Sequence, residues 1–520
     1  MTVPSKLILT VVDAMHPELL VEAAATGAAP TFAKLIERGQ LVEDSVSSFP
    51  SVTPVASSEI LTGLGPGGHW IMGMNWFHRV ERRYIEYGSS FEATRTFGLF
   101  RAMYDLVYNM NLDHLSWEAP TVFESLGAAG LRTATTPFLI YRGSRRHELS
   151  LEGMARRAAE AINFRHAVWA PDEFFYGDLY ASRPTECGSS LIRPGDRDQY
   201  ASCAAAELIR ADAFDFLLLS LPDNDFHSHR QGPGGQIQSI ARADRCFSQV
   251  VDAAGGLEEF CARYALILTS DHAQVPVKHS LPLIERLGEE WSVLQPNAED
   301  PDSAEIAVSP TSRAAAVYLL HADPTHSRLH ERLRGRIIDT EGVDLIAWLV
   351  DAEGKPVVRS SVGFPEGAVE ARIERDGSEF RFSPGGPISD LRGANWSVSG
   401  DPAALDGELT DTDFVSHEYP DALGRVWSAL TSPHSGDILI SAVSGYEFVD
   451  WGGVTHVGGG SHGGLAREES VSPLLFVGCG PRDPSSYPQW SLRDIAPVIL
   501  GHFGVPLASP SPTFGMEVLS

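Results

Sequence analysis

The chain has 520 residues, 43% hydrophobic and 21% charged, a balance that excludes a largely disordered protein and allows a large buried core. Its 40 Lys and Arg against 68 Asp and Glu leave a net charge of −28, which disfavours a nucleic-acid polymer as partner. A phosphate-bearing small molecule would need a local positive centre. The five cysteines (Cys187, Cys203, Cys246, Cys261, Cys479) show no paired spacing, the start lacks a signal-type apolar core, and no run of about 20 apolar residues occurs. The expectation is a cytoplasmic protein with reduced thiols and no membrane partner.

Leu7–Val12 is the first short apolar run, closed by Asp13. With Phe214–Leu221 and Tyr264–Thr269 it has the continuity of strands buried on both faces, as parallel strands covered by helices do. Thr31 is placed as the N-cap of FAKLIER, which Gly39 closes. At Pro54 the segment FPSVTPVASSEILTG, residues 49–63, turns from extended chain into a helix. The region 89–118, with FRAMYDLVYNMN, is expected as a helical flap over a site. From Thr121, TVFESLGAAGLRTATTPFLI reads as helix, glycine stop and strand.

Roughly 335–435 changes character. It is rich in Asp, Gly, Ser and Pro, and Asp376-Gly377 is a two-residue hairpin turn between alternating strands. It is assigned to a smaller inserted α+β lobe, interrupting a core formed by 1–334 and 436–520. Ile438–Val443 and Leu474–Val477 are placed as core strands, and SLRDIAPVILGHFGVP as a last helix. The fold class is α/β, with a mostly parallel sheet flanked by helices on both faces.

Three of these strands end in the same chemistry: Asp13, then DNDFHSH at 223–229, then Asp271-His272. In a parallel sheet, ligands collect outside the carboxyl ends of the strands, so these groups can converge although they lie far apart in sequence. A carboxylate cluster without compensation repels itself and takes up protons; divalent cations compensate it, and mixed Asp/His donors suit zinc or another transition metal. Each piece alone has a simpler meaning, since an Asp after a strand is commonly a cap or turn residue.

Taken together and in order, VVDAM, PSVTPVASSEILTG, DFHSHRQGP, TSDHAQ and GGGSHGG resemble the alkaline phosphatase superfamily, in particular its type I phosphodiesterase/nucleotide pyrophosphatase branch. The resemblance covers about 1–290 and 437–510 and implies an alkaline-phosphatase-like core. Carried over residue by residue, it implies one divalent ion held by Asp13, Thr53, Asp271 and His272, and a second held by Asp225, His229 and His462. Zinc is the implied metal, with manganese or a mixed pair as alternatives. Asp223 with His227 has the same spacing as Asp225 with His229, but Gly232-Pro233 stands at the family's distance from His229. His456 in VTHVGGG competes with His462, whose Ser-His-Gly-Gly context fits the family better.

The resemblance makes Thr53 the nucleophile, nine residues before Thr62, a spacing that Ser57 and Ser58 do not meet. A helix start favours an anionic oxygen and an approaching phosphate, and a metal-bound hydroxyl loses its proton more readily than a free one. The competing reading is that Thr53 only caps the helix. The implied reaction is an in-line displacement on a small phosphate ester through a covalent phosphothreonine, with two metal ions. Donors for the equatorial oxygens are sought in the backbone N–H after Thr53 and in Asn75, one position later than an ungapped alignment expects, where Met74 falls. Trp76, with Trp70 and Phe77, is a candidate for stacking a substrate ring. Phosphomonoester or phosphonate-bond hydrolysis on the same ligands is the alternative, and a non-catalytic relative is a further one. A sulfatase is disfavoured because Cys479-Gly-Pro-Arg has the wrong spacing and position.

Overall fold

The computed structural model describes residues 4–506, apart from 152, 162–163, 165, 189–196, 299, 322–325, 358, 360–366 and 368. Its centre is an eight-stranded sheet of β1 (Lys6–Val12), β2 (Gln40–Val46), β3 (Thr133–Thr135), β4 (Glu173–Tyr176), β5 (Tyr180–Ala181), β6 (Phe216–Leu221), β7 (Tyr264–Thr269) and β8 (Val471–Val477), in the order β2-β8-β7-β1-β6-β3-β4-β5. The run from β7 to β4 is parallel; β8, β2 and β5 are antiparallel additions at the two edges.

The apolar runs form strands because both faces are covered. Along β1, Leu7, Leu9 and Val11 pack into a layer with Val55, Phe123 and Ile499. Ile8 and Val12 face the opposite layer, with Leu20, Phe32 and Phe247. That alternation is the pleat, and fully burying each such side chain contributes about 1.5–3 kcal/mol. The expected α/β arrangement is thus present, with helices such as α1 (Thr53–Thr62) on one face and α3 (Gln236–Ala253) on the other; α2 (Asp223–Gln231) follows β6.

A second, seven-stranded sheet is antiparallel throughout: Ile306–Thr311, Ala314–Leu319, Ile438–Ala442, Val343–Val350, Glu370–Arg375, Ser378–Ser389 and Asn395–Gly400. The hairpin at Asp376-Gly377 forms as expected, with φ of 50° and 78° at the two turn residues. The sheet extends beyond 335–435 at both ends. It starts at Ile306, and Ile438–Ala442, expected in the core sheet, is one of its inner strands. All five residues of that strand are buried, so its apolar run looks the same as that of a parallel strand, and its partners cannot be read from it.

Local chemistry agrees at several joints and departs at others. Thr121 and Glu124 form a complete capping box for the helix Val122–Ala128. Thr31 is not the cap of the helix Pro30–Ile36; Ala29 precedes it without a side-chain cap, and the Phe32 N–H donates to Asp244 Oδ1 on α3 at 2.7 Å. The flap region is helical, as Phe91–Phe97, Leu99–Tyr104 and a wider π-type turn over Asp105–His114. Ser90 Oγ pins its start by donating to Asp450 Oδ2 at 2.6 Å. The cysteine reading is corrected: Cys187 and Cys203 form a disulfide, because the helix Arg197–Arg210 carries Cys203 back against the segment holding Cys187. The spacing argument for reduced thiols loses its premise there. Among the described residues, no single helix is long and apolar enough to cross a membrane.

Candidate active site

The parallel register brings the strand ends level. Val12 of β1 lies opposite Leu221 of β6, and Val11 opposite Thr269 of β7, so Asp13, α2 and Asp271 all emerge at one rim of the sheet. Two groups of side chains gather there. Asp13, Asp271 and His272 form one, and Asp225, His229 and His462 form the other, the potential ligand atoms within each lying within 4.8 Å of one another. The groups adjoin, because the His272 and His462 rings stack at 3.6 Å between centroids.

Second contacts aim these side chains. His229 Nδ1 meets the Gly460 carbonyl at 2.8 Å, His272 Nδ1 the Ala273 carbonyl at 3.1 Å, and His462 Nδ1 the Ser51 carbonyl at 2.8 Å. A carbonyl only accepts, so each Nδ1 carries a proton, and in the neutral ring Nε2 is then the nitrogen with the lone pair. The Nε2 atoms turn inward: His272 to Asp271 Oδ2 at 3.3 Å and Asp13 Oδ1 at 3.9 Å, His229 to Asp225 Oδ1 at 3.3 Å, and His462 to the same oxygen at 3.8 Å. Ala14 N–H fixes Asp271 through Oδ1 at 3.0 Å. Asp13 Oδ1 and Asp271 Oδ2 remain buried without a hydrogen-bond partner.

Electrostatics points the same way. Burial, then the Asp271 and Asp225 carboxylates, push the Asp13 carboxyl well above its ordinary range. Burial, then the neighbouring His272 and His229 rings, hold His462 well below its ordinary value, and burial lowers His229 as well. Crowded carboxylates facing imidazole Nε2 atoms, with two orphaned oxygens between them, fit a cation.

Thr53 opens α1, yet it is not the cap. Val52 holds the N-cap position with no side-chain hydrogen bond, and Thr53 Oγ1 lies 3.3 Å from His272 Nε2 instead. Its surroundings correct one expectation. Pro54 supplies no N–H, and the Val55 and Ala56 N–H groups both donate to the Val52 carbonyl, so no backbone donor stands directly after Thr53.

The structure also separates the competing residues. Asp223 binds Arg197 Nε at 3.0 Å and the Asp198 N–H at 3.1 Å, and His227 meets Arg242 at 2.8 Å; neither joins the two groups. His456 is held by Glu447 through Nδ1 at 2.7 Å, beside His229. Asn75 and Trp76 are placed elsewhere than the sequence suggested. Asn75 is buried, with Nδ2 on the Ile85 carbonyl at 2.9 Å, and Trp76 is enclosed by His114 and His434; the neighbouring Met74 lines the site instead. In a strand, one position reverses the face a side chain serves.

The two groups form the floor of a cavity of about 830 Å³, whose lining includes Thr53, Ser57, Tyr87, Phe91, Phe226 and Arg230. Several of its supports had no distinct signal in the sequence. Ser51 and Ala273 aim the imidazoles through their backbone carbonyls, Ser51 Oγ also accepts from the Gly463 N–H and donates to the Gly464 carbonyl, and Gln274 Nε2 donates to Asp225 Oδ1. The glycine run before His462 did carry one. A Cβ at Gly459 would stand 1.9 Å from the His229 carbonyl oxygen, so only glycine lets this loop close over α2 and present the Gly460 carbonyl to His229.

The chain is similar to known proteins in sequence and in fold. The family model for type I phosphodiesterase/nucleotide pyrophosphatase matches residues 7–359. Phosphonoacetate hydrolase from Sinorhizobium meliloti 1021, solved with phosphonoformate, is 16% identical, with a TM-score of 0.55 over 96% of both chains. Murine ectonucleotide pyrophosphatase/phosphodiesterase 5 is 12% identical, with a TM-score of 0.55 over 97% of both chains. Likeness at these identities speaks for the fold. No curated protein matches the chain significantly. The chain belongs to the type I phosphodiesterase/nucleotide pyrophosphatase family, hydrolases of phosphoester bonds.

Proposed function

We propose that this protein hydrolyses phosphodiester or pyrophosphate bonds of small molecules through a covalent phosphothreonine at Thr53. Two divalent cations, zinc by donor type, would be held by Asp13, Thr53, Asp271 and His272 and by Asp225, His229 and His462. When bound, such ions lower the pKa of hydroxyl and water ligands and offset phosphoryl charge. The observation that carries the reading is the inward set of Nε2 atoms, fixed by three Nδ1 contacts to backbone carbonyls, around a carboxylate cluster in which Asp13 Oδ1 and Asp271 Oδ2 have no hydrogen-bond partner.

The chain's own part then follows. Thr53 Oγ1, at the start of α1, attacks phosphorus in line; the bond to the leaving oxygen breaks on the side of Asp225, His229 and His462. Water next attacks the phosphothreonine, the bond to Oγ1 breaks, and the hydroxyl is restored after two inversions. His272 Nδ1 donates to the Ala273 carbonyl, which turns Nε2 toward Thr53 Oγ1 at 3.3 Å; with Nε2 taken up as a ligand of a bound cation, the ring would orient Thr53 and not serve as its base. Small phosphorus-containing ligands suit the cavity: the two solved relatives bind phosphonoformate or phosphonoacetate, and AMP in an inactive variant of the murine protein.

Turnover of a chromogenic phosphodiester, the matching monoester and a phosphonate tests the reading. The expected result is preference for the diester, loss of activity on chelation, recovery with zinc, and one phosphothreonine per chain trapped in a rapid quench. Diester turnover that survives exhaustive chelation would refute it. Preference for the monoester or the phosphonate would instead favour the alternative chemistry on the same residues.

A further inference from the structure

We propose that Arg230 is a specificity residue that recognises a second anionic group on the substrate, apart from the reacting phosphorus. This rests on the hydrolase reading above and adds the substrate class to it.

Two arginines line the cavity, and they are not equivalent. Arg197 is already neutralised: its Nε lies 3.0 Å from Asp223 Oδ1, and Asp223 is itself buried and tied to the Asp198 N–H. Arg230 is at the end of α2, directly after His229, and among the described residues it has no carboxylate within 4.0 Å. Its guanidinium stands 5.1 Å from the centroid of the Phe226 ring. Arg197 approaches the same ring at 5.8 Å.

Phe226 is therefore a shared platform for two like charges on one wall of the cavity. It is 40% exposed and has the lining position that an apolar side chain would be expected to leave. A cation over an aromatic face is oriented without being discharged, so the Arg230 donors stay available to a ligand. Among the described residues, Arg230 is the arginine of the cavity lining that has no carboxylate within 4.0 Å. Its planar fork matches a carboxylate or a phosphate, the two anions that small phosphoesters and anhydrides carry. The carboxylates of the lining are Asp13, Asp225, Asp271 and Glu92; the first three belong to the floor, which leaves Glu92 as the opposing charge on the flap.

The test compares methyl p-nitrophenyl phosphate with analogues in which the methyl is replaced by carboxymethyl or phosphoethyl, on the metal-loaded enzyme. The expected result is about tenfold higher kcat/KM for at least one analogue, carried by KM, as one charge-assisted pair supplies. Arg230→Gln should remove that preference and leave the methyl ester within about threefold, and Arg230→Lys should restore part of it. The carboxymethyl and phosphoethyl arms distinguish which anion is recognised. Absence of preference in the wild type, or its persistence in Arg230→Gln, overturns the assignment. If no ester is turned over, the hydrolase reading fails separately. Calorimetric binding of a carboxylate-bearing phosphonate against methylphosphonate, wild type against Arg230→Gln, then decides Arg230 alone: equal differences in both proteins overturn it.

Discussion

On the floor of the cavity each imidazole is anchored to a backbone carbonyl, and Asp271 is 1% exposed; on the wall, Phe226 is 40% exposed and Phe91 68% exposed. The floor is held by the main chain of three parallel strands and a glycine loop, so its donors cannot move without the sheet moving. The wall is made of side chains that project from helices toward solvent, Phe226 and Arg230 from α2 and Phe91 from the helix Phe91–Phe97. The difference separates reaction from selection. A preorganised, water-poor floor is where small displacements cost most rate, whereas an exposed wall can change what is bound while leaving the chemistry in place.

The strongest break in that comparison is Thr53→Ala. It should cut turnover by about three orders of magnitude or more while two metal equivalents are retained by elemental analysis. Near-normal rates would remove the covalent step from the reading. Next come the metal residues. Asp225→Ala and His462→Ala should each lose one equivalent, and activity should fall with it. Asp223→Ala, two positions from Asp225, should keep both metals and instead lose about 1–3 kcal/mol of stability, because it leaves the Asp198 N–H and Arg197 without their acceptor. Metal loss in Asp223→Ala would reassign the second group.

The same division governs what could be read from the sequence. Metal chemistry accepts few residue types, so Asp13, Asp225, His229, Asp271, His272 and His462 are written as a pattern, and the structure brings them to one rim. The parallel strands between them were legible from unbroken apolar runs. Ser51 and Ala273 were not, because a carbonyl oxygen belongs to every residue and leaves no trace in composition. Asn75 failed by a single position, which in a strand turns the side chain onto the Ile85 carbonyl and gives the lining place to Met74. Ile438–Ala442 was correctly seen as a strand and assigned to the wrong sheet, since burial on both faces says nothing about the direction of the neighbours. The pairing of Cys187 with Cys203, 16 residues apart, depends on a helix folding back, which spacing alone does not encode. Arg230 carries no signal in the sequence, since its setting depends on the turn of α2 that puts the Phe226 ring, four residues back, beside its guanidinium.

The smallest expected effect lies at the edge of the wall. Glu86 Oε1 accepts from the Gly88 and Ser89 N–H groups at 2.9 and 2.6 Å, shaping the turn that lines the cavity mouth, while its Oε2 is buried without a partner. Burial raises this carboxyl from 4.5 to about 7, with the Ser89 and Gly88 donors only partly opposing it. A raised acid pKa favours the folded state in its protonated form, so the contribution is complete below the unfolded value and is lost as pH rises through the folded one. The melting temperature of the wild type should therefore decline between about pH 5 and 8 by more than that of Glu86→Gln, which cannot ionise and still presents a carbonyl oxygen to the turn. Metal content and the effect of Thr53→Ala should be the same in both backgrounds. If Glu86→Gln has the same pH slope as the wild type, the carboxyl is already ionised in the folded protein; if it loses metal, floor and wall are coupled more tightly than their separate supports suggest.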